Sequence, residues 1–222
     1  MKAMLLAAGR GERMRPLTDS VPKPLLPVRG RPLIMWNLAA LARAGIREVV
    51  INVSWLGEKL RAALGDGREL GVSITWSEEG PVALETGGGI LRALPLLGPG
   101  PFMVMSSDIW SDIDLGRLQL ERDALAHLVL IPNPPHHPRG DFALEGSLVV
   151  ERDTDRLTYA NVGIFRPEAF AGCEPGRFPL LQVLRRAIAA RAARGELHRG
   201  EWCDVGTPER LAGLEARLAA LE

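Results

Sequence analysis

The chain of 222 residues reads as an α/β protein, a mostly parallel central sheet flanked by helices. Three observations predict this. Short apolar stretches alternate with amphipathic ones through the first half, and such alternation builds parallel strands joined by helices on both faces. The first apolar run breaks at once into glycine, as where a strand of an open sheet runs into a binding turn at its carboxyl end. The hydrophobic share of 46% is ample for a core, either of one large domain or of at most two small ones.

Residues 3–7 are the expected first strand. Residues 33–44 form a helix that Gly45 ends, because glycine takes the left-handed backbone of a helix terminus without steric cost. Residues 48–52 (EVVIN) are β-branched and extended, and residues 56–64 are an amphipathic helix that stops before Gly65. A strand over 72–76, a short helix over 88–94 and a buried strand over 102–105 follow. The last of these runs into Ser106, Ser107 and Asp108. Ligands of open α/β sheets bind beyond the carboxyl ends of the strands. The glycine turn and Asp108 both fall on that edge.

The second half is less regular. Residues 126–131 are a strand, and 142–151 and 156–165 are β-rich stretches suited to a hairpin. A helix covers 180–193, and 202–205 are short and extended. A final amphipathic helix over 208–221 has Thr207 as N-cap and Pro208 in its first position. The stretch 132–140 (PNPPHHPRG) reads as a functional loop or a crossing between two parts of one unit. No repeat, low-complexity tract or linker interrupts the chain, so 1–222 is expected to be a single domain.

Charge narrows the partners. Lys plus Arg equals Asp plus Glu at 27 each, so the net charge is zero. Nucleic-acid binding needs a cation excess and is not expected. Cys173 and Cys203 are the only cysteines, which implies no disulfide framework and fits a reducing cytoplasm. The run Met4 to Ala8 is too short for a signal segment, and no stretch approaches membrane-spanning length.

The basic residues must therefore act locally, and residues 5–24 (LLAAGRGERMRPLTDSVPKP) show where. An apolar run breaks into Gly9-Arg10-Gly11. Then come Arg13, Arg15 and Lys23, the last held between Pro22 and Pro24. Glycines admit backbone N–H groups to phosphate oxygens, Arg and Lys supply countercharge, and the prolines stiffen the loop. The pattern is a polyphosphate cradle. It is neither a P-loop, since no Gly-Lys pair occurs, nor a GxGxxG turn, since Met14 takes the third glycine position.

Asp108 and Asp204 are the carboxylates best placed for a metal. Asp108 ends an apolar strand. Asp204 lies in WCDVGTPERL, three residues before the expected cap Thr207, which weakens a capping role for it. Two hard oxygen ligands plus substrate phosphates suit Mg²⁺, which rarely needs a full protein cage. The ordinary alternative for either is a turn or capping residue. Residues 84–90 (LETGGGI) open a helix that Glu85 or Thr86 would cap, and Gly87 to Gly89 permit close backbone approach. His136 and His137 lack chelating spacing and read as loop structure or substrate contacts. Cys203 has no His–Asp partner pattern, and no GxSxG elbow occurs. Trp36, Trp55 and Trp76 fall in apolar elements and are expected in the core.

The strings LLAAGRGERMRPLT, PKP, ETGGGI, NPPHHPRGDF and CDVGTPERL together resemble the signature of the sugar-1-phosphate nucleotidyltransferases, from Met1 to the helix after DVGT. The resemblance implies a Rossmann-like nucleotidyltransferase fold, with a nucleotide-binding part over about 1–110 and a β-rich sugar- and metal-binding part over about 111–222. It implies a nucleoside triphosphate and a sugar-1-phosphate as substrates, Mg²⁺ as cofactor, and a monomer or small homo-oligomer. Ala7, Ala8, Gly9, Gly11 and Arg13 would approach the nucleotide, with Arg15 and Lys23 on the reacting phosphates. Glu79, Glu85, Thr86 and Gly87 would frame the base. Gly88, Asp141, Glu145 and Asn161 would meet the sugar, and Asp108 and Asp204 the metal. Uridylyl transfer is the favoured reading, and guanylyl transfer to mannose- or heptose-1-phosphate the alternative. A non-catalytic nucleotide-sugar sensor is a reading of another class. A dinucleotide oxidoreductase is disfavoured by the missing third glycine. The chain stops too soon after the transferase core for the left-handed β-helix of bifunctional relatives.

Overall fold

The computed structural model describes residues 1–220, so Leu221, the expected end of the last helix, lies outside the described residues. In chain order the elements are β1 (Lys2–Leu6), β2 (Pro27–Val28), β3 (Arg31–Pro32), α1 (Leu33–Arg43), β4 (Glu48–Val53), α2 (Gly57–Leu64), β5 (Ser73–Glu78), α3 (Glu85–Leu97), β6 (Phe102–Ser106), β7 (Ile109–Ser111), β8 (Ala126–Ile131), β9 (Ala143–Glu145), β10 (Leu148–Val150), β11 (Thr158–Phe165), α4 (Leu180–Ala189), β12 (Ala193–Leu197), β13 (Trp202–Asp204) and α5 (Pro208–Ala219).

β1 sits inside a nine-stranded sheet of order β5-β4-β1-β6-β11-β8-β12-β10-β9. It pairs in parallel with β4 on one side and β6 on the other. Only β11 and β10 run against the remaining strands. The chain builds outward from β1 through β4 to β5, then returns to β6 on the opposite side of β1. That reversal opens a crevice beyond the carboxyl ends of β1 and β6.

A strand at this position is covered on both faces, so its residues are apolar without alternation. Ala3 and Leu5 share one core with Leu38 of α1 and Leu60 of α2. Met4 points the other way, into a core with Ile90 of α3 and Leu184 of α4. A third, smaller cluster joins Met14, Leu26, Val28 and Leu33 to Val205, Leu214 and Leu218. This third cluster ties the loop after β1 to β13 and α5 from the far end of the chain.

α1 stops as its sequence requires. Gly45 takes φ +77, its N–H donates to Ala42 O, and Ile46 N–H donates to Leu41 O, closing the orphan carbonyls of the last turn. α4 closes in the same way without a glycine. Arg191 adopts φ +54, and Ala192 N–H donates to Ala187 O at 2.8 Å. The helix expected to Ala193 therefore ends at Ala189, and Ala193 instead begins β12, parallel to β8. Nothing β-branched in ARGEL advertises that strand.

Two more expectations need correction. β11 does not form a hairpin with the preceding β-rich stretch. That stretch folds on itself as the β9–β10 hairpin, turning at Gly146, while β11 inserts between β6 and β8. Only the single bridge Phe142–Leu157 links the two segments. β11 is buried along most of its length, as an interior strand demands. The three tryptophans are half-buried, not core: Arg10, Arg31 and Arg61 lie over Trp55, Trp36 and Trp76 at 4.9, 5.3 and 5.2 Å. Each ring buries one face and lends the other to a cation.

Candidate active site

Two adjoining cavities of about 570 and 440 Å³ open at the carboxyl ends of β1 and β6, and Leu6, Arg13, Thr86 and Ser106 line both. The larger lobe is built by the glycine turn. Gly11 stands at φ +65, and a Cβ there would lie 3.0 Å from Thr18 Cγ2 and 3.1 Å from Lys23 Cβ. Glycine is thus required for conformation and for room. Thr18 Oγ1 donates to Gly11 O at 2.9 Å, and Met14, fully buried, anchors the turn beneath. The effect is to fix Ala7, Ala8, Gly9 and Lys23 along one wall.

A buried polar network forms the back of this lobe. Ala7 N–H donates to Asn52 Oδ1 at 2.7 Å, Asn52 Nδ2 donates to Glu79 Oε1, and Leu84 N–H donates to Glu79 Oε2 at 2.6 Å. Glu85, at φ +60, and Thr86 complete the rim.

α3 starts earlier than its three glycines suggest, at Glu85, and neither expected residue caps it. Thr86 Oγ1 accepts from Leu180 N–H at 2.8 Å, and Glu85 pairs with Arg177 at 3.0 Å. The free N–H groups of its first turn go elsewhere: Gly87 and Gly88 donate to Phe178 O at 3.0 and 3.1 Å. A Cβ on Gly87 would collide with the Phe178 ring, and one on Gly88 with Gly176 O. These glycines admit a neighbouring segment of the chain, and neither lines a cavity.

The acidic centre lies between the lobes. Lys23 Nζ donates to Asp108 Oδ2, with the lysine almost buried. Asp204 is in register with Ile109 across the β7–β13 ribbon, and Val205 N–H donates to Asp108 O at 2.8 Å. Asp108, in the turn just before β7, therefore lies beside Asp204 at the end of β13. Arg210 Nη1 lies 2.9 Å from Asp204, and His136 Nε2 lies 3.0 Å from it. Gly206 has no Cβ because the Arg210 guanidinium occupies that space. Among the described residues no group of three or more His, Cys, Asp or Glu side chains forms a protein cage for a metal. Two carboxylates on adjacent stretches of chain fit a hard dication that takes its other ligands from phosphates and water.

The smaller lobe draws on distant segments. His136, His137, Asp141, Tyr159, Asn161, Leu180, Leu184 and Trp202 line it. Asp141 accepts from Tyr159 N–H at 2.8 Å and pairs with His137 at 3.0 Å. The β11–β8 register slips between Tyr159 and Gly163, and within that irregularity Asn161 adopts φ +58. Asparagine tolerates the left-handed region better than most residues, and such conformations collect at functional sites. Burial pushes the Tyr159 phenol well up, leaving a neutral hydroxyl at physiological pH. Burial likewise raises the Cys203 thiol, which suits a packing residue more than a nucleophile.

Of the sequence candidates, the structure gathers Ala7, Ala8, Gly9, Gly11, Arg13, Lys23, Glu79, Glu85, Thr86 and Asp108 in the larger lobe, and Asp141, Asn161 and Asp204 in the smaller. It leaves three outside besides Gly87. Gly88 packs against Gly176. Arg15 pairs with Asp19 at 2.9 Å on the exposed shoulder, and Glu145 faces Arg152 at 3.6 Å on the edge hairpin. Asn52 and Arg210 were not expected in the site. Asn52 carried one signal, a lone amide near the end of an apolar strand. Arg210 carried another, a cation in the first turn of the helix after DVGT.

The family model described as nucleotidyl transferase matches residues 2–142. An N-acetylmuramate alpha-1-phosphate uridylyltransferase of Neisseria meningitidis serogroup B is 49% identical over 99% of both chains. Its namesake in Caulobacter vibrioides is 36% identical over 98% of this chain and 96% of that one. A mannose-1-phosphate guanylyltransferase of Mycobacterium tuberculosis is 41% identical over 93% of this chain but 61% of its own length. A solved structure from Bacillus anthracis, assigned as a glucose-1-phosphate thymidylyltransferase and holding sucrose, superposes with a TM-score of 0.88. It covers 98% of this chain and 94% of that one at 20% identity, a likeness of fold.

Proposed function

The chain belongs to the nucleotidyl transferase family, and from that premise we propose that it joins UTP and N-acetylmuramate-1-phosphate to give the UDP-sugar and pyrophosphate. The observation that carries this reading is the meeting of two unlike lobes at Arg13, Lys23 and the Asp108–Asp204 pair. The larger lobe takes the nucleotide and the smaller the sugar. We read residues 1–222 as one domain, its first half mainly nucleotide-binding, working in the cytoplasm on cell-wall sugar as a monomer or small homo-oligomer. No described helix is long and apolar enough to cross a membrane.

The chemistry asks little of a general base. A sugar-1-phosphate is mostly dianionic at neutral pH, since its second pKa lies near ~6. Its oxygen attacks the α-phosphorus directly, and the site must hold two anions in line and neutralise charge. Lys23 stabilises the α-phosphate as the new bond forms. Arg13, which faces both lobes and has no carboxylate partner among the described residues, holds the departing pyrophosphate. Arg15 reaches the outer phosphates only by leaving Asp19. Asp108 and Asp204 would hold Mg²⁺, which when bound supplies further charge neutralisation between the phosphates. Asn161 and Asp141 orient the sugar.

Pyrophosphate release with Mg²⁺, crossing UTP, GTP, CTP, dTTP and ATP against a panel of sugar-1-phosphates, tests this. Release confined to UTP with N-acetylmuramate-1-phosphate is the expected result. Release with GTP and mannose-1-phosphate would replace the substrates and keep the mechanism. Silence across the panel with nucleotide binding intact would favour a sensor.

A further inference from the structure

We infer that Asn52 is a positioning residue for base selection, acting through Glu79. The inference rests on the nucleotide reading of the larger lobe. Asn52 is 3% exposed and Glu79 6%. Among the described residues no cation pairs with Glu79. Its carboxylate is held only by neutral donors, Asn52 Nδ2 on one oxygen and Leu84 N–H on the other.

The amide orientation of Asn52 follows from its neighbours. Ala7 N–H can only donate, so it meets Oδ1, and the Glu79 carboxylate can only accept, so it meets Nδ2. One side chain thereby couples the end of β1, where the phosphates bind, to the carboxylate at the back of the lobe. The fold makes room for this arrangement. A Cβ on Gly89 would strike Glu79 Oε1 and lie 3.0 Å from Asn52 Nδ2. Gly89 is inside α3, where alanine is the better helix former, so the glycine costs helix stability and gives the carboxylate its place.

A fixed carboxylate has about four acceptor sites and no donor. With two of them occupied, the remaining lone pairs on the cavity wall accept an N–H. Uracil presents the N3–H of its imide. Cytosine presents an acceptor at N3 and is repelled. Discrimination of this kind depends on Glu79 being held in one place.

Equilibrium dissociation constants for UTP and CTP, measured by calorimetry on the whole chain, test the inference in variants whether or not they turn over. Asn52→Asp keeps an acceptor for Ala7 N–H and removes the donor to Glu79. Gly89→Ala leaves Asn52 intact and displaces Glu79. Both are expected to shrink the UTP-over-CTP preference by about 10- to 100-fold, the range of one hydrogen bond to a charged group. A merely structural role would weaken both nucleotides equally. Wild-type preference retained in a folded Gly89→Ala variant, equal weakening of both nucleotides, or no preference in the wild type would each overturn the inference. A wild-type chain that binds neither nucleotide would instead strike the nucleotidyltransferase reading.

Discussion

The two lobes of the crevice are built in opposite ways. The larger lobe takes half of its lining from one run of chain, Leu6 to Pro24, closed by short-range contacts such as Thr18 on Gly11. The smaller lobe takes most of its lining from β11, the 132–140 loop, α4, β13 and α5, segments tens of residues apart. On the proposed reading the first is a phosphate grip of backbone and fixed cations. The second mixes apolar wall and hydrogen-bonding groups, the composition expected where a substituted sugar must be told from its neighbours. On that reading a continuous segment gives the common chemistry, and assembled segments give the selection.

The sharpest way to break this division is at its boundary. Lys23→Ala and Asp108→Asn should each lower turnover by about 10²–10³, the usual cost of a lost electrostatic contact with a transition state. Pyrophosphate release measures it, and near-normal rates in both would sink the assignment. Next come the two arginines of the cradle. Arg13→Ala should cost roughly 10- to 100-fold in kcat/KM, as for a lost charge-assisted bond. Arg15→Ala should cost no more than about fivefold, since an exposed pair of this kind contributes ~0–1 kcal/mol. The reverse order would move the pyrophosphate grip to Arg15.

Asn161→Ala separates the lobes directly. KM for the sugar phosphate should rise about 2- to 10-fold, the range of one neutral hydrogen bond, with KM for the nucleotide unchanged. A rise in both would mean that β11 supports the whole crevice. Gly88→Ala should affect activity least. Its Cβ meets a backbone carbonyl, Gly176 O, which cannot turn aside as a side chain would. Overpacking there should cost about 1–3 kcal/mol, read as a fall in Tm of roughly 2–4 °C per kcal/mol for a chain of this size. An unchanged Tm would show that the 176–178 segment moves freely.

Much of this was legible in the residues. The alternation of elements gave the sheet, and the glycines, cations and prolines of 5–24 gave the turn that walls the larger lobe, because each depends on neighbours a few positions away. Gly45 and Thr207 marked helix ends through local backbone and capping geometry. Asp108 was visible as a carboxylate at the end of a buried strand. The signals failed where a rule was met by an unusual residue. Arg191 ends α4 in the conformation normally left to glycine, so β12 behind it stayed hidden.

Tertiary structure decided the rest. No spacing says that β11 enters between β6 and β8, that Asp204 lies in register beside Ile109, or that Arg13 faces the crevice while Arg15 turns to Asp19. Nor does any string place Asn52 between Ala7 and Glu79. The physical reason is one of range. Backbone turns, caps and phosphate-binding loops are fixed by the torsions and side chains of adjacent residues. A contact between strands exists only after the core has chosen which strands are neighbours, and that choice belongs to packing across the whole chain.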